Sequence, residues 1–73
     1  MNEKLSIKQR MVLECLDWFI NEYGYAPTYR EIAKELNSTV DSVFKRMTIL
    51  INKGYVSSAN GKTRTLRVLK RYD

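Results

Sequence analysis

Apolar residues recur every three or four positions over three stretches of this chain, and this period predicts three amphipathic helices. The first helix is predicted over about residues 6–23. Ser6 and Gln9 have the spacing of a capping box at its start, and Gly24 supplies the stop at its end. We expect one face of this helix to pack inward, and its members are Val12, Cys15, Leu16, Phe19 and Tyr23.

A second apolar strip runs along the same helix and consists of Ile7, Met11 and Trp18. One helix in so small a chain rarely buries two strips completely. Trp18 is therefore expected either at the edge of the core or in an exposed interaction patch. We take this strip as the candidate surface for self-association.

Two shorter helices follow an extended connector that ends at Pro27. Thr28 and Glu31 have the spacing of a second capping box, which opens a helix predicted over about residues 28–36. The apolar positions of this helix are Ile32, Ala33 and Leu36. Asn37 and Ser38 are expected to form the turn that follows it.

The third helix is predicted over about residues 39–53, with Thr39 as its N-cap and Gly54 in the left-handed conformation at its end. Its apolar stripe consists of Val40, Val43, Met47, Leu50 and Ile51, with Phe44 at the border. The opposite face is mostly polar and consists of Asp41, Ser42, Lys45, Thr48, Ile49 and Asn52, with Arg46 to one side.

The remaining residues have the pattern of a β-hairpin. A strand over residues 55–59 and a return strand over residues 62–69 flank Asn60-Gly61, the residue pair that favours a type I′ turn. One face of the return strand carries Leu66, Val68 and, toward the tip, Arg64.

This order of elements predicts a mainly α (α+β) fold: a three-helix winged helix-turn-helix with a C-terminal two-stranded β-hairpin wing. A length of 73 residues allows one domain, over residues 1–73. The second helix of such a motif can enter the major groove of DNA. The order of elements therefore favours nucleic-acid binding.

The net charge of +5 is unevenly distributed. Residues 1–52 contain seven Lys or Arg and seven Asp or Glu, whereas residues 53–73 contain six Lys or Arg and only Asp73. The whole positive surplus therefore lies in the predicted wing and tail. A polyanion is the expected partner of such a surface, and the alternative is a basic surface that only keeps the chain soluble.

Composition argues against several other classes of protein. The chain has no His and only Cys15, so no disulfide within the chain, metal site or cofactor is expected. Cys15 is expected to be a buried thiol, with a redox sensor or an intermolecular bridge as the alternative. Without a catalytic dyad or a phosphate loop, an enzyme is not expected. Without an apolar run long enough for a membrane span, we expect a cytoplasmic, nucleoid-associated protein.

Several motifs together resemble the amino-terminal DNA-binding domain of LexA-type SOS repressors. They are Gly24-Tyr25-Ala26-Pro27-Thr28, Glu31-Ile32-Ala33, Lys53-Gly54, Asn60-Gly61-Lys62-Thr63-Arg64 and Leu66-Arg67-Val68-Leu69. The similarity runs from about Leu5 to Leu69. None of these residues resembles the self-cleaving carboxy-terminal domain of that family, so self-cleavage is not assigned to this chain.

The resemblance implies sequence-specific binding to double-stranded DNA and repression of transcription in a bacterium or phage. The family's base-contacting positions correspond here to Thr39, Asp41, Ser42, Phe44 and Lys45. In the family, this surface is rich in asparagine, alanine and glutamate. The turn before helix 3 is one residue longer in the family than in this chain. These departures indicate an operator that differs from the standard SOS operator.

Contacts to the DNA backbone are expected from the helix starts, the wing and nearby cations. The residues assigned to this role are Lys8, Gln9, Thr28, Tyr29, Arg46, Lys53, Lys62 and Arg64. A tight operator normally needs two copies of such a domain, so a homodimer on paired half-sites is expected, with Ile7, Met11 and Trp18 as its contact surface.

Two other functions stay open at this point. A winged helix can be a protein-interaction module that inhibits or modulates a larger protein, and the aromatic residues at surface-like positions favour this alternative. It can also be an architectural or recombination accessory factor that bends DNA.

Overall fold

The computed structural model describes residues 4–59 and 64–72. Three helices, α1 (Ile7–Tyr23), α2 (Tyr29–Glu35) and α3 (Val40–Asn52), precede two strands, β1 (Val56–Ser57) and β2 (Arg67–Val68). The strands are antiparallel, with Val56 opposite Val68 and Ser57 opposite Arg67. This arrangement confirms the predicted class of fold. The helix bounds lie within one residue of those expected from the sequence.

Hydrogen bonds at the helix starts explain why the helices begin where they do. The Ser6 hydroxyl accepts from the Gln9 N–H at 3.1 Å, and the Gln9 side-chain oxygen accepts from the Ser6 N–H at 3.0 Å. Thr28 and Glu31 form the same reciprocal pair at 3.1 and 2.9 Å. Both predicted capping boxes are therefore present, and each satisfies two backbone donors that a helix start would leave unpaired.

Left-handed residues end α1 and form the turn of the motif. Gly24 has φ of +81°, and its N–H donates to the Ile20 carbonyl, which closes α1. Asn37 has φ of +54° in the turn between α2 and α3, a conformation that Asn tolerates better than most residues. At these two positions the chain leaves the helical conformation and changes direction.

The core lies between α1 and α3 and is closed on one side by α2 and on another by the wing. The fully buried side chains are Leu13, Leu16, Ile32, Met47, Leu50, Val12, Val43, Val56 and Pro27. Leu13 lies outside the face of α1 that was predicted to pack inward. Since α1 contacts β2 as well as α3, it buries side chains on more than one face.

Two predicted core positions are wrong. Tyr23 is 52% exposed, because it belongs to the last turn of α1 and packs there against Phe19 and Trp18 rather than against α3. Val40 is 43% exposed, because it is the first residue of α3. The other predicted members of the α1 and α3 stripes are buried or partly buried.

The wing has a much shorter ladder than the sequence predicts. Arg64 has φ of +62°, which takes the chain out of the extended conformation before β2 begins. The Ala59 N–H donates to the Thr65 hydroxyl at 3.2 Å rather than to a backbone carbonyl. The predicted Asn60-Gly61 turn and Lys62 lie outside the described residues.

Cys15 is buried, as predicted for a structural thiol. Burial is the main cause that raises the pKa of this thiol, and the negative charge of Glu35 raises it further. Within residues 4–59 and 64–72, no helix has both the length and the apolar character needed to cross a membrane.

Candidate nucleic-acid interface

The start of α3 is fixed by two hydroxyl groups. Thr39 Oγ1 accepts from the Ser42 N–H at 3.1 Å and donates to Ser42 Oγ at 3.0 Å. This N-cap stabilises the first turn of α3. Thr39 and Ser42, both predicted to contact bases, therefore lie together at the end of the helix that a major groove would receive.

The exposed side of α3 is set by the side that is buried. Val43, Met47 and Leu50 have no exposed surface and hold the helix on the core. The side chains of Asp41 and Lys45 lie outside this buried stripe and are exposed. Asp41 Oδ2 and Lys45 Nζ are 3.5 Å apart, so a hydrogen-bond acceptor and a donor are adjacent on the surface.

Phe44 also lies outside the core, since 55% of its surface is exposed. Its ring centroid is 5.9 Å from that of Tyr29, the first residue of α2. Tyr29 is half-buried, and burial raises the pKa of its hydroxyl. Phe44, which the sequence places at the border of the apolar stripe, is therefore not a core residue. A supported aromatic face is instead available beside Asp41 and Lys45.

A groove of about 280 Å³ connects the start of α1 with α3. Lys8 and Arg46, two of the predicted backbone contacts, line it together with Ser42. Asn37 and Ser38 of the turn line it as well, and the sequence did not single them out for DNA contact. Two cations and several short polar side chains suit the passage of a phosphate backbone.

The backbone donors at the helix starts are only partly available. The Thr28 N–H donates to Glu31 and is therefore already paired. The Gln9 N–H is likewise paired, because it donates to the Ser6 hydroxyl. For the residues the structure describes, the N–H groups of Tyr29 and Arg30 have no acceptor, so they are the open donors at the start of α2.

Arg64 is turned toward α2. Its Nη1 donates to the Ala26 carbonyl at 3.0 Å, and its Nη2 donates to Glu31 Oε2 at 3.1 Å. Its guanidinium carbon lies 5.0 Å from the centroid of the Tyr25 ring. Lys53, at the far end of α3, donates to the Lys4 carbonyl at 2.6 Å.

Several cations of the predicted positive surplus contact other groups of the same chain. Arg71 Nε lies 3.3 Å from Asp17 Oδ2 of α1, and Lys70 Nζ lies 4.7 Å from the Tyr55 ring centroid. Arg71, Arg64 and Lys53 thus contact groups in residues 1–52, whereas Lys70 contacts a ring within the basic segment itself. A count of charges along the sequence missed this because each pair joins residues far apart in the chain.

The candidate self-association strip is exposed along its length. Ile7 is 79% exposed, and Met11 and Trp18 line a groove of about 310 Å³ with Leu36 of α2. Trp18 also belongs to an aromatic cluster that the sequence did not predict, made of Trp18, Phe19, Tyr23 and Tyr25.

The short α2, the tight turn, the exposed side of α3 and the antiparallel strands define a winged helix-turn-helix domain. The family model described as the LexA DNA binding domain matches residues 2–65. The chain belongs to this family, which confirms the resemblance drawn from its motifs. It is therefore a domain that binds double-stranded DNA.

The similar relatives include several LexA repressors. The LexA repressor of Thermotoga neapolitana is 41% identical over 66 residues, which cover 90% of this chain and 34% of that protein. The LexA repressor of Desulfatibacillum aliphaticivorans is 38% identical over 69 residues, or 93% of this chain and 34% of the relative. The chain thus spans about a third of the length of these curated relatives.

Proposed function

We propose that this chain is the DNA-binding unit of a transcriptional repressor, and that it inserts the start of α3 into the major groove of a specific operator. The observation that carries this proposal is the geometry of α3. Its buried stripe fixes the helix on the core, while Asp41, Phe44 and Lys45 project to the outside. The names of the relatives support the repressor role.

Each exposed side chain on α3 suits a particular base edge. The Lys45 ammonium can donate to guanine O6 or N7, and the Asp41 carboxylate can accept from cytosine N4. The Phe44 ring suits the methyl group of thymine. Thr39 and Ser42, at the capped start of the helix, suit a base or a phosphate.

Backbone contacts then fix the position of α3 in the groove. Lys8 and Arg46 line one groove beside α3 and are the best supported of these contacts. Gln9, Thr28 and Tyr29 lie at the starts of α1 and α2. The remaining proposed contacts are Lys53 and Lys62, whereas Arg64, which the sequence also assigned to this role, is bonded to Ala26 and Glu31.

We also propose that two copies bind paired half-sites, with Ile7, Met11 and Trp18 as the contact between them. The exposure of this strip supports the proposal. A regulator of this kind acts on chromosomal DNA in the bacterial cytoplasm, at the nucleoid.

Salt dependence tests the DNA-binding role. Fluorescence anisotropy with a labelled duplex should give an affinity that falls with salt, with a log–log slope of roughly −4 to −5 if ~4–6 phosphates are neutralised. Lys8→Ala and Arg46→Ala should each make the slope shallower by about 0.9. No binding at low salt, or a slope near zero, would contradict the proposal.

A protein-interaction module is the second candidate, because the aromatic cluster of Trp18, Phe19, Tyr23 and Tyr25 has three exposed members and contains no residue of α3. Binding through such a cluster would depend little on salt. Substitution of Lys45 would leave it unchanged, whereas substitution of Trp18 would abolish it.

A further inference from the structure

The side chain of Arg64 joins the wing to the start of α2. It donates to the Ala26 carbonyl and to Glu31, and it lies over the ring of Tyr25. We call this group of four residues the Arg64 clasp. Glu31 precedes Arg64 by 33 positions and Ala26 by 38, so the clasp is a tertiary contact rather than a local turn.

The clasp holds the wing beyond the end of its sheet. The ladder between β1 and β2 has two residue pairs, and a two-stranded ladder of that length is not stable alone. Past Ser57 and Arg67, the Ala59 N–H donates to the Thr65 side chain and not to a backbone carbonyl, so the regular ladder does not continue there. Two side chains attach this end of the wing to the helices: Leu66 is buried in the core, and Arg64 makes the polar contacts with Ala26 and Glu31.

The backbone of Arg64 supports an active role for its side chain. A left-handed φ of +62° is unfavourable for a residue with a Cβ, whereas glycine adopts it without strain. The two hydrogen bonds and the contact with Tyr25 offset this strain. The contacts that the side chain makes explain why this position holds an arginine, because the turn alone would favour glycine.

Glu31 links the clasp to the exposed side of α3. Its Oε1 accepts from the Thr28 N–H and completes the cap of α2, while its Oε2 accepts from Arg64. Tyr29, the next residue after Thr28, packs against Phe44. A chain of direct contacts therefore runs from the wing through the start of α2 to the proposed base-contacting surface.

Glu31 is in the ionised form that strengthens its hydrogen bond with Arg64. The hydrogen bond from the Thr28 backbone is the main cause that lowers the pKa of Glu31, and the hydrogen bond from Arg64 lowers it further. The carboxylate is therefore ionised at neutral pH, and the hydrogen bond to Arg64 is charge-assisted.

We propose that Arg64 is a positioning residue for DNA binding, which acts through Glu31 by holding the wing against the start of α2 rather than by contacting a phosphate. This inference rests on the proposed function and replaces a direct contact of Arg64 with a structural one. The distinctive consequence is that substitution of Arg64 and substitution of Glu31 should weaken DNA binding equally, although the two residues carry opposite charges.

The test measures duplex affinity and its salt slope for Arg64→Ala, Glu31→Gln and the double variant. Glutamine is compatible with the N3 position of a capping box, so Glu31→Gln keeps the cap and removes the charge from the clasp. We expect each single variant to bind roughly five- to tenfold more weakly, and the double variant to bind no more weakly than either. The salt slope of Arg64→Ala should equal that of the wild type.

Arg64→Lys distinguishes a phosphate contact, which needs only a positive charge, from the structural role, which needs the two hydrogen bonds of the guanidinium group. Lysine keeps the charge that a phosphate would need but cannot make two forked hydrogen bonds to Ala26 and Glu31. We therefore expect Arg64→Lys to be impaired like Arg64→Ala. Wild-type affinity for Arg64→Lys, or a slope that is shallower by about 0.9 for Arg64→Ala, would overturn the proposal.

Arg10 and Glu14 provide matched controls. Arg10 pairs with Glu14 at 2.9 Å and lies over the Tyr72 ring, but the Arg10–Glu14 pair lies within α1 and does not join α2 to the wing. Glu14→Gln should bind like the wild type, and Arg10→Ala should show no coupling to Glu31→Gln.

Wild-type or tighter binding by Glu31→Gln would overturn the clasp while leaving DNA binding intact. Absence of binding by the wild type would instead remove the proposed function, and the clasp with it.

Discussion

Asp41 and Lys45 lie one helical turn apart on α3, with the carboxylate and ammonium groups 3.5 Å from each other. Both side chains are exposed, so the pair contributes at most about 1 kcal/mol to the free energy of unfolding. Its importance lies in the surface that it forms. A donor beside an acceptor complements the edge of a G·C pair, which presents acceptors on guanine and a donor on cytosine.

Lys45→Ala should therefore change sequence preference at one base pair and leave stability nearly unchanged. We expect the free energy of unfolding to change by less than about 0.5 kcal/mol, since the side chain is exposed. Competition between duplexes that differ at single positions measures the preference. Lys34→Ala is the matched control, because it removes an exposed lysine from α2. Unchanged preference in Lys45→Ala would remove Lys45 from base contact.

Phe44→Ala should abolish discrimination between thymine and deoxyuridine at one operator position. The exposed ring, held by Tyr29, can contact the thymine methyl group, which deoxyuridine lacks. In the wild type, replacing that thymine by deoxyuridine should weaken binding by about 0.8 kcal/mol, the value of one buried methyl-sized group, whereas Phe44→Ala should bind both duplexes equally. Equal binding of both by the wild type at every position would show that Phe44 contacts no thymine methyl.

Glu31→Gln should lower stability at neutral pH but not in strong acid. Because the pKa of Glu31 is lowered in the folded protein, the folded state releases this proton more readily than the unfolded chain. The stabilisation is present above the ordinary glutamate pKa of about 4.3 and is lost as the pH falls through the lower, folded value. Urea unfolding of Glu31→Gln and the wild type between pH 3 and pH 7 measures this effect. A difference that stays constant over that range would contradict the assignment.

Trp18→Ala should weaken self-association. Trp18 lies on the exposed strip with Ile7 and Met11, and its truncation removes the largest apolar surface there. Sedimentation velocity over a range of concentrations should show less dimer for Trp18→Ala than for the wild type. Leu69→Ala, which shortens an exposed apolar residue outside the strip, is the control. If Trp18→Ala sediments like the wild type, the strip is not the contact between copies.

Local signals in the sequence account for most of the helical part of the fold. The reciprocal caps at Ser6 and Thr28 and the stop at Gly24 depend on residues within one turn of each other, so spacing alone reveals them. The same applies to Thr39, whose partner is three residues away. The apolar period likewise identified the buried stripe of α3, apart from Val40.

Contacts between distant residues account for what the sequence did not show. Leu13 is buried because α1 contacts the wing as well as α3. Arg64 leaves the strand conformation and binds Glu31, so neither the short ladder nor the clasp follows from alternation of apolar residues. The sequence also could not decide whether Phe44 is exposed, because a residue at the border of an apolar stripe can face either the core or the solvent.

Selection from a pool of randomised duplexes, at two salt concentrations, tests the central claim most directly. The wild-type chain should enrich one motif at both concentrations, with less DNA retained at the higher salt because phosphate contacts weaken. Lys45→Ala, selected in parallel, should alter that motif at one position. Enrichment of no motif by the wild type at either concentration would contradict sequence-specific DNA binding through α3.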